Sequence, residues 1–313
     1  MTNTDMKITN IDFIGNRKIA LIFSGILTFI SIVSLAINGL EMGIDFTGGT
    51  LIEVSYQQSA DLEQLRKTLD EISFTDATVQ NFGTSKDVLI RLKPHDDMQN
   101  KDISAKIVNA INQTTKDPVK VRRIEFVGPQ VGDDLAMDGF LSLLYSTIGI
   151  LIYIAWRFEW KFSVGAIIAT LHDVIVTLGV FSIFHLEFDL TVLAAILTLI
   201  GYSLNDTIVV YDRIRENFLE LRNMTTENIM NHAINVTLSR TIMTSITVTL
   251  VLVSLFFLGG ETIHNFSLAM LFGVVFGTYS SIFIASPAAL MLGISPADLI
   301  VPVKEGVDFD GMP

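Results

Sequence analysis

Six stretches of this chain are each long and apolar enough to cross a bilayer as a helix, and nothing else in the sequence limits the fold as strongly. A hydrocarbon core about 30 Å thick calls for roughly 20 apolar residues in a row. The stretches are residues 19–37, 139–156, 162–184, 190–210, 241–258 and 266–292. Composition agrees, since half of the 313 residues are hydrophobic and 17% are charged, where a soluble domain carries about a quarter charged. The apolar surplus must be hidden in lipid. A net charge of −12 argues against a nucleic-acid partner, which needs a basic face. With no cysteine, disulfides, thiolate catalysis and thiol metal sites are excluded together. No metal or cofactor is expected.

Residues 1–18 carry Lys7, Arg17 and Lys18, a basic start that would suit a signal peptide. The stretch that follows is too long for a cleaved core and has no small-x-small site after it, so it reads as a retained anchor. Basic residues then set the orientation. Arg157 and Lys161 join the second stretch to the third, Arg213, Arg215, Arg222 and Arg240 the fourth to the fifth, and Lys304 lies in the tail at 293–313. The loops at 185–189 and 259–265 carry neither Lys nor Arg. Both termini are expected in the cytoplasm and the hydrophilic insert, 38–138, on the outer side.

The insert alternates strand and helix signals. An extended apolar run at 50–56 leads to a helix striped by Leu62, Leu65, Leu69 and Ile72, then a strand at 77–82. Val88, Ile90 and Leu92 alternate, Ile103, Ile107, Ala110 and Ile111 share a helical face, and 119–127 closes the series. The order βαββαβ predicts a ferredoxin-like α+β domain with two helices on one face of an antiparallel sheet. Its one histidine, His95, reads as a solvated loop residue. Between the fourth and fifth stretches, 211–240 carries two amphipathic helical stripes, Ile214 with Phe218 and Leu221, and Ile229 with Ala233 and Val236. They predict a hairpin lying along the cytoplasmic membrane surface.

The expected class is therefore an α-helical polytopic membrane protein with six spans and one domain between the first two. Chemistry is sought inside the membrane, where an ionisable side chain costs at least ~2.5 kcal/mol and usually marks a function. Asp173 lies midway along the third span, Asp206 follows Asn205 toward the cytoplasmic end of the fourth, and Arg240 opens the fifth. Asp206 is about 6 Å below that surface at 1.5 Å per residue, which makes an ion pair with Arg240 geometrically reasonable. Each has a duller reading. Arg240 can be a snorkelling anchor, and the acids can be hydrogen-bonded glue between helices. Thr198, Gly201 and Ser203 surround Asp206 with small or polar groups, and Gly273, Gly277 and Ser281 mark an inward, closely packed face of the sixth span.

Four motifs together, GIDFTGG at 43–49, AAILTLIGYSLNDTIVVYDRIREN at 194–217, SRTIMTS at 239–245 and GTYSS at 277–281, closely resemble the SecF side of the SecD/SecF family. The resemblance covers nearly the whole chain and extends to half of a resistance-nodulation-division transporter. It implies an auxiliary, non-enzymatic role in bacterial protein export at the inner membrane. The implied partners are SecD, the SecYEG channel, YajC, the unfolded exported polypeptide and protons, the proton-motive force supplying the work. The family's proton-relay aspartate falls on Asp206 and its companion arginine on Arg240, with Asp173 at a further acidic position and Asn205 beside the relay. Asp45, Gly48 and Gly49 are candidates for a hinge where the first span meets the domain, although a Gly pair is also an ordinary turn former. Three other classes compete: an intramembrane aspartyl protease, which needs its two acids at one depth, a proton-driven exporter of small molecules or lipids, and a passive scaffold.

Overall fold

The structure is a computed structural model and describes residues 9–82, 84–94, 100–115, 117–221 and 223–299. Lys7, His95, Arg222 and Lys304 lie outside the described residues. Helix α1 (Arg17–Ile37) leads through a short strand β1 (Glu41–Met42) and one helical turn, α2 (Ile44–Thr47), into the insert. There β2 (Gly49–Ser55), α3 (Leu62–Glu71), β3 (Thr78–Phe82), β4 (Thr84–Leu92), α4 (Asn100–Thr114) and β5 (Lys120–Val127) follow in turn. The chain continues as α5 (Pro129–Arg157), α6 (Trp160–Ile183), β6 (Glu187–Phe188), α7 (Leu190–Glu220), α8 (Thr226–Leu258), α9 (His264–Ser280) and α10 (Ser286–Met291). Six helical units are long and apolar enough to span a membrane: α1, α5, α6, α7, α8 and the α9–α10 unit.

The insert's strands lie in the order β3-β4-β2-β5, and every neighbouring pair is antiparallel. Strand β2 has a neighbour on each side and is buried from Gly49 to Val54, where Leu51, Ile52 and Val54 are joined by the buried polar Thr50 and Glu53. On one face Ile52, Val54, Val88 and Ile90 pack beneath Leu65 and Leu69 of α3 and Ile103, Ile107 and Ile111 of α4. Full burial of each such side chain contributes about 1.5–3 kcal/mol. Asp61 starts α3 by accepting hydrogen bonds from the Glu63 and Gln64 amides. The opposite face offers Leu51 and Leu89 to Ile44 of α2, so the sheet is also packed toward the helices.

Three helical units form the centre of the bundle and three its rim. The apolar windows of α6, α7 and α9–α10 are each 56% buried, those of α1, α5 and α8 between 11% and 17%. Two expected boundaries are corrected. Helix α5 begins at Pro129, well before the apolar stretch, because Pro at its first turn fits a helix start and the exposed Asp133, Asp134 and Asp138 lie on an early, polar part of the same helix. The helical hairpin expected at 211–240 does not form as a separate surface element among the described residues. Instead α7 and α8 run on as unbroken helices and meet at a turn near Leu221 to Thr225. The stripes that suggested lipid contact are covered by protein: Ile214, Phe218, Ile229, Met230 and Ala233 share one core with Phe13 and Ile14 of the amino-terminal segment. Asn231 and Asn235 fasten that segment by accepting from the Phe13 and Ile11 amides at 2.8 and 2.9 Å.

A packed corner joins insert to bundle. Strand β1 pairs in parallel with β6, Glu41 opposite Glu187 and Met42 opposite Phe188, and the Gly43 amide donates to the Phe188 carbonyl at 2.8 Å. Arg91 of β4 reaches Glu187 at 2.7 Å. Asp45 Oδ2 accepts from the Leu190 amide at 3.0 Å, satisfying one of the orphan donors at the start of α7. Gly48 and Gly49 have φ of 67° and 129°, and a Cβ on Gly49 would lie 2.2 Å from the Leu92 carbonyl oxygen. Only glycine fits there.

Candidate functional site

Asp173 of α6 is fully buried at the centre of the bundle. Its Oδ2 accepts from Ser203 of α7 at 2.5 Å and Ser280 of α9 at 2.6 Å, and its Oδ1 stands 3.0 Å from Nδ1 of His172. Asp206 lies about one turn along α7 from Ser203 and is also buried. Its Oδ1 accepts from Thr241 of α8 at 2.7 Å and its Oδ2 from Ser281. Consecutive serines therefore hold the two acids. Neighbouring helix positions point about 100° apart, so the two serines face different acids, and Ser281 also opens a π-turn, Ser281–Ala285, inserted between α9 and α10. Tyr211 of α7 closes that turn by donating to the Ala285 carbonyl at 2.8 Å.

Space for this arrangement comes from glycines on the facing helices. A Cβ on Gly277 would lie 3.2 Å from Cβ of Ser203 and 3.6 Å from Asp173 Oδ2, and one on Gly273 would meet Leu199 at 2.5 Å. Gly201 does not share that role. It is exposed, with nothing within 4 Å of a Cβ built on it, so its expected packing contact inside the chain is not formed.

Among the described residues the expected ion pair between Asp206 and Arg240 is also absent. Thr241 faces the acid, and its neighbour Arg240 is turned about 100° away around the helix. Arg240 is exposed and lines an open cleft of about 1180 Å³ together with Asn205, Thr237, Asp212 and Arg215. Asn205 is likewise turned outward, into the cleft rather than onto Asp206. All donors to Asp206, and two of the three groups on Asp173, are hydroxyls. The acids do not bond to each other, as a proton-sharing protease pair would. Neither Ser280 nor Thr241 stands out in the sequence as a ligand of an acid. The available signal is the polar run at 277–281 inside an apolar stretch.

The outer faces carry a second pattern. Ala194, Thr198, Gly201 and Asn205 are exposed at helical spacing on α7, and Arg240, Thr244, Thr247 and Ser254 on α8. Small and polar residues on an outer face of a membrane helix suit contact with another helix better than contact with lipid.

Comparison with known proteins agrees with this architecture. Residues 107–295 match the family described as protein export membrane protein SecD/SecF, C-terminal, and residues 33–60 match the SecD/SecF GG motif, which here includes Gly48 and Gly49. The chain is 50% identical over 305 residues to a protein translocase subunit SecF of Vibrio alginolyticus, covering 97% of each. It is 43% identical over 288 residues to the corresponding subunit of Escherichia coli O157:H7, covering 91% of this chain and 89% of that one. Among solved structures it is similar to SecDF of Thermus thermophilus, a translocon-associated membrane protein, with a TM-score of 0.83 and 34% identity. That match covers 93% of this chain and 39% of the SecDF chain. A SecDF structure in a super-membrane-facing form matches with a TM-score of 0.63 at 32% identity. Six membrane-length helices, a glycine-pair corner in front of a small sheet, and relatives of this identity along nearly the full length place the chain as a multi-pass membrane protein of the SecD/SecF family.

Proposed function

We propose that the chain acts as a SecF-type subunit of the accessory complex of the Sec translocase, and that with SecD it uses the proton-motive force to promote late steps of export across the inner membrane. The observation that carries this reading is the pair of buried carboxylates bound mainly by hydroxyls. A charged carboxylate without a cation is expensive inside a bundle, so a proton offered from outside has a reason to bind. Hydroxyls can both donate and accept, so they tolerate either state of the acid. Arg240 acts from the residue next to Thr241, biasing Asp206 through the cleft it shares with Asn205. Asp173 is the deeper member of the relay. Likeness to translocase subunits along nearly the full length, at 43–50% identity, disfavours the small-molecule exporter.

The same reading orients the chain with both termini in the cytoplasm and a ferredoxin-like domain in the periplasm, the Asp45, Gly48 and Gly49 corner serving as its pivot on the bundle. SecD is the partner for the exposed small and polar stripes of α7 and α8. SecYEG, YajC and the emerging polypeptide complete the assembly. Asp206→Asn and Arg240→Met are each expected to abolish proton-dependent stimulation of export in membrane vesicles, with the variant still inserted and co-purifying with SecD. Wild-type stimulation in both variants would sink the proposal.

A further inference from the structure

His172 is buried beside Asp173, and its two ring nitrogens have different surroundings. Nδ1 stands 3.0 Å from Asp173 Oδ1, whereas Nε2 is fully buried with no hydrogen-bond partner in the protein. An unpaired buried polar atom costs about 1–3 kcal/mol, so it asks for a function. Asp173 already receives hydroxyl protons from Ser203 and Ser280 on Oδ2. A carboxylate so supplied accepts the Nδ1–H of the ring, which fixes the tautomer and leaves Nε2 as a bare base.

We propose that His172 is a second proton-binding group of the bundle, taking the proton on Nε2 while Nδ1–H remains on Asp173. The inference rests on the reading of the bundle as a proton relay and names a group that reading does not include. One N–H bond forms, no protein bond breaks, and the ring becomes an imidazolium whose charge is offset by the Asp173 carboxylate. Helices α1 and α6 pack against each other beside the ring. These helices lie side by side with Ser34 and Ser182 hydroxyls 2.9 Å apart and Gly179 against Ser31. Seven residues back from Ser31 and Gly179, the same register sets Ser24 at the level of His172. Ser24 donates to the Tyr279 hydroxyl at 3.1 Å, which donates to the Ala20 carbonyl at 2.9 Å, close to the start of α1. Other titratable groups around α6 are engaged or outward: Asp206 with Thr241 and Ser281, Tyr202 with Ser245, Tyr211 with the Ala285 carbonyl. On α5, Asp133, Asp134, Asp138, Tyr145 and Tyr153 are exposed, Arg157 pairs with Asp212, and Arg17 of α1 pairs with Glu227. Asp173 is the charged group that touches the ring.

Two measurements test this on the full-length chain. Ring-nitrogen NMR with labelled histidine, assigned by loss of one signal in His172→Asn, should give the Nδ1–H tautomer at alkaline pH and a proton arriving on Nε2 as the medium is acidified. An Nε2–H tautomer at alkaline pH, or a ring that never gains the second proton while the chain stays folded, overturns the proposal. In the complex with SecD, His172→Asn keeps an N–H for Asp173 but has no second nitrogen. Proton-driven export should fall at least about tenfold with SecD still bound. Full stimulation in that variant would reduce His172 to a group that only orients Asp173, and so overturns it too. If instead Asp206→Asn leaves stimulation intact while the ring titrates on Nε2, the relay reading fails and the proton site stands.

Discussion

A serine hydroxyl has one proton to give, and at this site two neighbouring serines give theirs to different acids. Ser281→Ala would leave Asp206 with Thr241 as its hydroxyl donor, at a cost of about 1–3 kcal/mol for the unsatisfied oxygen. The expected outcome is a lower melting temperature together with weaker proton dependence of export, whereas Thr278, whose hydroxyl meets Ser245, can be changed to Val with the proton dependence intact. Gly165→Ala tests the π-turn from behind, because its Cβ would lie 2.5 Å from the Tyr211 hydroxyl and 2.7 Å from the Ala285 carbonyl. Overpacking of that kind costs about 1–3 kcal/mol, readable as a drop in melting temperature of the purified chain. Asp173 and Asp206 are legible in the sequence because acids are rare in apolar stretches. Their hydroxyl ligands are less so, since serine and threonine are common in membrane helices and only the facing of helices selects among them. The misplaced ion pair has the same origin. Depth along the axis can be read from residue number, but the direction of Arg240 around α8 depends on how α7 and α8 pack.

The existence and kind of elements with a strong internal rhythm can be read from the sequence, their ends less well, and elements defined by a distant partner cannot. The six apolar helices and the striped helices α3 and α4 belong to the first kind. Strands β1 and β6 belong to the second: two residues each, they exist through one parallel pairing across the junction. The amphipathic stripes of 211–240 could be read, but not that protein would cover them. This junction is also sensitive to pH. Burial holds the Glu187 carboxyl above the usual carboxylate range despite the opposing pull of Arg91, and burial raises Asp189 as well, with Asp45 nearby adding to both. Raised carboxyls favour the docked state when protonated, so docking is tightest in acid and weakens as pH rises from the ordinary carboxylate range through these higher values. Hydrogen-exchange protection at Gly43 and Leu190 should fall over that interval, and Glu187→Gln should flatten the dependence. A fall in protection on acidification would contradict this. Gly49→Ala has no soft outcome, because the new methyl meets backbone at Leu92, and β2 should lose its register with β4.

At the level of the whole molecule one side of the bundle differs in composition from the rest. Its rim helices keep large apolar side chains outward, as lipid demands, yet α7 and α8 interrupt that surface with glycine, threonine, asparagine and arginine. Gly201→Leu should therefore leave the melting temperature of the isolated chain within about 0.5 kcal/mol equivalent of wild type while reducing co-purification with SecD. Equal recovery of SecD would place the partner elsewhere. The π-turn bears on how such an assembly could move. It holds a surplus residue within an otherwise regular rod, and a defect of this kind can migrate along its host without unwinding it. Every position it passes is re-phased by about 100°, roughly the angle separating the bearing of Ser280 from that of Ser281. A crawl of one residue would carry one of the two serines from one acid's bearing to the other's and leave the vacated acid without its serine, a gear tooth's worth of rotation with no helix drawn through the bilayer.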